Sequence, residues 1–308
     1  MIDYSVIIPV FNSSGSIIEI TDAIREFFES ENLRYEILLI NDGSSNPDTA
    51  MALQIASGRN PAVRVIYLRR NYGQHAATLC GLEHSRGHRL ITMDDDLQHD
   101  PGDIRLLMEK KDHDIVIAGF NVKIQSFSQR ILSRIKNKLD EILLKKPHGL
   151  RFSSFRLLKR EIARSMLSIQ TPYPYLPSLM LLVTGDIVNV PVTHRRRSSG
   201  KSGYTWSRII RLAFNLLFNN STVLLRWMAV AGFSTATLCL LTMFWFLFKK
   251  IVFAINVPGW TSLFVLMAGI GGLLLGGLGI IGEFLARILT GIEKRPAYFI
   301  KEDSNELR

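Results

Sequence analysis

Apolar residues follow two rhythms along this chain. Short β-branched runs alternate with longer stretches in which apolar positions recur at helical spacing. Ser5–Val10 is too short and too rich in Val and Ile for a helix and predicts a strand. Ile17–Phe28 has helical spacing, with Ser13, Ser14 and Ser16 available as caps. Tyr35–Ile40 predicts a second strand, closed by the turn signal Asn41-Asp42-Gly43-Ser44. Helical Thr49–Ser57, strand Val63–Leu68, helical Ala76–Ser85 and strand Arg89–Met93 follow, the last running into Asp94-Asp95-Asp96. Pro101–Lys111 predicts a helix with proline near its start, and Asp114–Ala118 a fifth strand. Ser154–Met166 resumes strand then helix, and Ile187–Val192 is a late strand. One strand and one helix about every 25 residues is the pattern of a mostly parallel sheet with helices on both faces. Such sheets bind ligands beyond the carboxyl ends of their strands. Asn12, Asp42 and Asp94–Asp96 are the polar groups expected there.

The rhythm changes after residue 226. Trp227–Phe248 and Thr261–Ile281 are apolar runs long enough to cross a bilayer, joined by a linker containing Pro258-Gly259. They predict a two-helix transmembrane hairpin. Gly272 and Gly276 in the second run form a small-xxx-small pair, suited to packing on the first span or to an oligomer contact. Two basic amphipathic stretches precede the hairpin, at about residues 127–146 and 206–226, and between them lies an Arg/Ser/Gly-rich loop, 194–204. The expected layout is a catalytic domain over 1–205, a juxtamembrane helix over 206–226, a hairpin over 227–285 and a tail over 286–308.

Of 308 residues, 37 are Lys or Arg and 27 are Asp or Glu, a formal net charge of +10. The basic residues crowd the flanks of the apolar runs, which points to lipid headgroups rather than nucleic acid. By the positive-inside rule the flanks, and the domain they join, face the cytoplasm; Lys249 and Lys250 lie on the other side and are outnumbered. Met1 leads directly into the first strand with no signal-peptide pattern; the expected location is the inner (cytoplasmic) membrane, spanned twice. Cys80 and Cys239 are too far apart in sequence to suggest a disulfide framework or a zinc site.

The acidic triplet is the most informative chemistry. Carboxylates crowded at the end of a buried strand repel one another, and a cation offsets that repulsion. Oxygen ligands select a hard divalent ion, Mg2+ or Mn2+, which can bridge a diphosphate. A solvated acidic turn is the plainer alternative. For Asp42 the alternatives are a turn-forming residue and a carboxylate facing a ribose or base. The chain has no GxGxxG, Walker or nucleophile-elbow sequence.

Val6-Ile-Ile-Pro-Val-Phe-Asn12, Ile40-Asn-Asp-Gly-Ser44, Arg70-Asn-Tyr-Gly-Gln-His75 and Asp94-Asp-Asp-Leu-Gln98 with Pro101 together resemble the family-2 glycosyltransferases of GT-A fold. Within that family the chain resembles the polyprenyl-phosphate glycosyltransferases, which include dolichol-phosphate mannose synthase and bacterial undecaprenyl-phosphate sugar transferases. The Arg70–His75 run, Gly282–Ile288 and Arg295–Phe299 are most similar to the aminoarabinose type. The resemblance implies a nucleotide-sugar site at Pro9, Val10, Phe11, Asn12, Asp42, Asn71, Gly73, Asp94 and Asp95. It implies metal ligation by Asp94, Asp96 and Gln98, and an acceptor-phosphate site at Arg130, Ser133, His194, Arg195, Arg197 and Ser202. Asp94, Asp96, Arg130 and Arg197 would carry catalysis. Ser13 and Asp95 depart from the usual acidic and small residues at their positions, and the segments around Phe120 and Leu150–Ser154 depart as well.

The reaction so implied moves a sugar, with inversion, from a nucleotide-sugar, UDP-linked by preference, to undecaprenyl phosphate. A phosphate nucleophile is largely dianionic at neutral pH and needs no strong base, so His75 and His194 are read as binding or structural residues. A homo-oligomer, a tetramer by preference, is expected. Two alternatives stand: a transferase that extends a soluble or polymeric glycan, and a non-catalytic scaffold that binds lipid phosphate.

Overall fold

A computed structural model describes residues 2–120, 146–171, 174–192, 259–292 and 296–304, with scattered positions between 230 and 252. The chain divides into two compact units, residues 1–203 with 294–308, and residues 204–293.

The first unit is an α/β domain. Its strands are β1 (Tyr4–Val10), β2 (Tyr35–Asn41), β3 (Val63–Leu68), β4 (Arg89–Thr92), β5 (Ile115–Phe120), β6 (Arg156–Lys159), β7 (Ile187–Val192) and β8 (Ile300–Asp303). They form one sheet in the order β7-β5-β6-β4-β1-β2-β3-β8. Pairings β1–β2, β1–β4, β2–β3 and β5–β7 are parallel, whereas β6 runs antiparallel to both β4 and β5, and β8 antiparallel to β3. The mostly parallel sheet expected from the strand–helix rhythm is present. The alternation does not reveal the reversal at β6 or the edge strand β8.

Both sheet faces are covered, which is why the strands read as continuous apolar runs. Val6, Ile8 and Val10 of β1 point into one layer, with α1 (Ile17–Ser30), α2 (Pro47–Arg59) and α4 (Ile104–Glu109). Ile7 points into the other, with α3 (Gln74–His84), α5 (Arg160–Ser168) and α6 (Leu176–Val183). Ile17, Ile20, Ile24 and Phe28 line one stripe of α1 and are fully buried, each contributing about 1.5–3 kcal/mol. The helix expected over 101–111 is shorter: Asp100 accepts from Gly102 N–H and closes a 3-10 turn, Pro101–Asp103, before α4 begins.

Helix α3 lies close on β1 because Gly81 carries no side chain. A Cβ there would stand 2.2 Å from Ile7 Cγ2. The start of α3 lies at the carboxyl end of the sheet, where Gln74 reaches Asp94 in the loop after β4.

The described part of the second unit includes α7 (Trp260–Ile292), 33 residues long. Its stretch Gly269–Ala286 has a mean hydropathy of 1.7 and none of it is buried. Among the described residues it is the one helix long and apolar enough to cross a membrane. The first span expected over 227–248 falls mostly outside the described residues, as do the basic stretches 127–145 and 206–226.

Candidate active site

Four loops meet at the carboxyl edge of the parallel strands, and single polar side chains join each to the next. Asn12, after β1, takes a left-handed backbone with φ of 51°, which asparagine tolerates. Its Oδ1 accepts from Ser45 N–H at 2.9 Å and Asn46 N–H at 3.2 Å in the loop after β2. Its own N–H donates to Ser44 Oγ at 3.0 Å. Asp42, after β2, accepts from Tyr72 N–H at 2.7 Å and Gly73 N–H at 2.9 Å in the turn after β3. Gly43 makes room for this contact, since a Cβ on it would stand 2.4 Å from the carbonyl carbon of Arg70. Gln74 Nε2 then donates to Asp94 Oδ1 at 2.5 Å. Ser154, entering β6, donates through Oγ to Asp94 Oδ2, also at 2.5 Å. Thr92 Oγ1 in turn donates to the Ser154 carbonyl at 2.6 Å.

The acidic turn is bent sharply. Leu97 holds φ at 59°, an uncommon conformation for a residue with a branched side chain. Gln98 N–H donates to Asp96 Oδ1 at 3.1 Å, and buried His99 stacks on Phe155 with ring centroids 5.1 Å apart. Asp94 N–H donates to His99 Nδ1 at 3.3 Å. Asp95 Oδ2 is buried and has no hydrogen-bond partner. Burial pushes the Asp95 carboxyl up to about 7, the neighbouring Asp94 and Asp96 add to the rise, and a hydrogen bond from Ser13 opposes it.

An orphaned carboxylate oxygen between two further acids fits a hard divalent cation. Among the described residues no group of three or more His, Cys, Asp or Glu is arranged to hold an ion unaided. A divalent ion at this turn would be held by Asp94 and Asp96 and would need further oxygens from outside it. Asp94 already accepts one hydrogen bond on each oxygen, which leaves lone pairs free and fixes its direction.

Asn12, Asp42, Gly73 and Asp94–Asp96 with Gln98 are thus brought to one edge, as the sequence suggests. Phe11 is 49% exposed there. Asn71 is exposed on the turn beside Tyr72. Two expectations change. Val10 is fully buried in the core and its carbonyl accepts from Asp42 N–H, so it has only backbone to offer a nucleotide. Asp42 is 2% exposed and accepts a backbone N–H on each oxygen, so its burial and bonds fit a loop-holding role; burial raises its pKa and the two N–H donors oppose the rise. Pro9 is partly exposed within β1. Arg130, Ser133, His194, Arg195, Arg197 and Ser202 lie outside the described residues.

Gln74 and Ser154 were not singled out from sequence, although Gln74 lies inside the Arg70–His75 run. Arg156, at the start of β6, was also missed. It is 5% exposed, donates to Met180 Sδ at 3.1 Å, and lies within electrostatic reach of Asp94. Burial lowers its pKa to about 10 and Asp94 opposes the fall. His75 meets Tyr175 edge-on with centroids 5.0 Å apart.

Residues 5–167, just over half of the chain, match the family described as glycosyl transferase family 2. Among solved structures, the chain resembles glucosyl-3-phosphoglycerate synthase from Mycobacterium tuberculosis in complex with Mn2+, uridine diphosphate and phosphoglyceric acid. That match has 18% identity and a TM-score of 0.54, over 71% of this chain and 78% of that one. The same synthase with Mn2+, UDP-glucose and phosphoglyceric acid matches at 16% identity and a TM-score of 0.52, over 71% and 79%. A mycobacterial protein matches at 15% identity and 0.52, over 70% and 72%. Identities this low speak to the fold, a GT-A architecture.

Proposed function

We infer the reaction from one premise: the chain belongs to glycosyl transferase family 2. It is a glycosyltransferase, and we propose that its donor is a UDP-sugar held with Mg2+ or Mn2+ at Asp94–Asp96. The acceptor in this reading is a polyprenyl phosphate at the cytoplasmic face of a membrane. The observation that carries the acceptor is α7, whose Gly269–Ala286 stretch presents apolar side chains with no protein cover. A helix of this length and composition suits a bilayer, which is where a polyprenyl phosphate resides.

The described residues account for the donor half of the chemistry. Gln74 and Ser154 aim Asp94, and Gln98 N–H fixes Asp96. Asn12 and Asp42 hold the loops after β1, β2 and β3 in register, so the nucleotide meets a preformed edge. A bound divalent ion supplies positive charge to the departing diphosphate. The acceptor phosphate oxygen forms a bond to the anomeric carbon from the opposite face, the bond to the nucleoside diphosphate breaks, and the configuration inverts. A phosphate with a second pKa of about 6 is mostly dianionic at pH 7, so no general base is required. Arg130 and Arg197 are assigned to that phosphate because guanidinium groups fork onto its oxygens. The tail's return to the catalytic unit after α7 fits a hairpin with both ends on one side of the membrane.

A second reading keeps the donor and replaces the lipid with a soluble acceptor. The structural comparisons favour it, since the matched mycobacterial synthase was crystallised with phosphoglyceric acid. One assay separates the two. Purified protein is incubated with Mn2+ and a panel of radiolabelled nucleotide-sugars, with undecaprenyl phosphate or phosphoglyceric acid as acceptor. Label extracted into organic solvent only when the lipid is present supports the polyprenyl acceptor. Label confined to the aqueous acceptor overturns it in favour of the second reading.

A further inference from the structure

One of the two edge strands of the catalytic sheet, β8, comes from the segment after α7. Residues 296–304, which follow α7 by a few positions, lie along β3 and the turn that leaves it. β8 pairs antiparallel with β3, Ile66 opposite Asp303 and Leu68 opposite Ile300. Ser304 N–H donates to the Val65 carbonyl at 3.0 Å, and Val65 N–H to Ser304 Oγ at 3.0 Å. Arg64 and Asp303 form a largely buried ion pair, with Arg64 Nε donating to Asp303 Oδ1 at 2.9 Å. Tyr298 donates its hydroxyl to Glu83 on α3.

The contacts continue beyond the strand into the active-site turn. Arg69 N–H donates to the Phe299 carbonyl at 2.9 Å. The Phe299 ring lies 6.4 Å from that of Tyr72, and the Arg70 guanidinium covers Tyr72 at 4.9 Å. Tyr72 is the residue whose N–H Asp42 accepts, and Gln74, two positions later, aims Asp94. The turn Arg69–Gly73 is therefore gripped from the sheet interior by Asp42 and from the sheet edge by the tail. Arg69, Arg70 and Asn71 are otherwise exposed.

We propose that residues 296–304 are a positioning strap of the donor site, with Phe299 the residue that fixes the Arg69–Gly73 turn and, through Gln74, the carboxylate of Asp94. This rests on the reading that Asp94–Asp96 holds the donor. The strap also makes the segment after the apolar helix an integral part of catalysis rather than a free tail. Phe299 is 51% exposed, so its removal perturbs the turn without emptying the core.

The test uses the full-length protein and its Phe299→Ala, Phe299→Tyr and Lys301→Ala variants. UDP and GDP are titrated calorimetrically in Mn2+, and Tm is recorded for each. Phe299→Ala is expected to weaken the nucleotide about three- to tenfold, the span that one aromatic contact supports, at unchanged Tm. Phe299→Tyr is expected to restore binding, and Lys301→Ala to match wild type. Wild-type affinity in Phe299→Ala would overturn the strap while leaving the donor site intact. Loss that tracks a fall in Tm would reduce the strap to a structural edge and overturn the proposal. Wild-type protein that binds neither nucleotide would overturn the donor-site reading, and the strap with it.

Discussion

Asp96 and Asp94 divide the work of the acidic turn between them. Asp94 is aimed by two side chains from distant segments, while Asp96 accepts from the Gln98 N–H of its own turn. Asp96→Asn is expected to cut sugar transfer about a hundredfold or more, since it weakens a ligand to the cation that would offset the diphosphate's developing charge. Its circular dichroism and Tm should stay those of wild type; near-wild-type turnover would remove Asp96 from the chemistry. Ser154→Ala acts indirectly, by freeing Asp94, and an orienting partner of this kind is worth about tenfold. That loss should show as a higher Mn2+ requirement in a metal titration. Asp42→Asn leaves one backbone N–H facing an amide NH2, a cost of about 1–3 kcal/mol in stability, read as a lower urea midpoint. The acidic triplet was visible in the sequence because three acids end a buried apolar run. Ser154 was not, because its role depends on β6 returning antiparallel beside β4 some sixty residues later. The buried state of Val10 was legible in principle, since it closes an unbroken apolar strand.

Elements were legible where burial writes a pattern and obscure where it does not. β1 to β5 are covered on both faces and read as apolar runs. β8, Ile300-Lys-Glu-Asp303, carries three charged residues in four and sits at an edge, so neither periodicity nor composition marks it. Its partner β3 lies more than two hundred residues earlier, held through Arg64 and Asp303. The seat of α3 on β1 is set by Gly81. Gly81→Val would drive Ile7 and Ile40 from well-packed positions, with overpacking of about 1–3 kcal/mol set against a smaller helix-propensity gain. A Tm several degrees lower is the expected outcome. At the other end of the sheet Asp114 accepts from Lys159 at 2.8 Å and from Thr184 at 2.7 Å, tying β5 to β6 and to the end of α6. The Lys159 hydrogen bond, then that of Thr184, hold the Asp114 carboxyl below its usual range. A lowered folded-state pKa means the contribution is complete above the unfolded value and fades as pH falls through the folded one. Urea midpoints should therefore drop below about pH 4, and Asp114→Asn should flatten that part of the profile.

The whole molecule couples an α/β transferase to an apolar appendage within one chain. The catalytic unit is assembled from both ends of the sequence, with residues 204–293 forming a separate unit between them. The apolar runs and their basic flanks were evident from composition. The polyprenyl phosphate acceptor was read from the resemblance alone, and the residues assigned to it, Arg130 and Arg197 among them, lie outside the described residues. If α7 spans a bilayer, the expressed protein should stay in the membrane pellet through alkaline carbonate extraction. Release into the supernatant would contradict that and favour the soluble-acceptor reading.

The donor half of the account turns on where a metal and a diphosphate settle. A crystal of the full-length protein grown with UDP and Mn2+ gives the direct answer through the anomalous signal of manganese. The account predicts one strong peak bonded to Asp96, with the diphosphate oxygens completing its coordination and Gln74 and Ser154 still on Asp94. A nucleotide bound at the sheet edge with manganese elsewhere, or no nucleotide there at all, would contradict it.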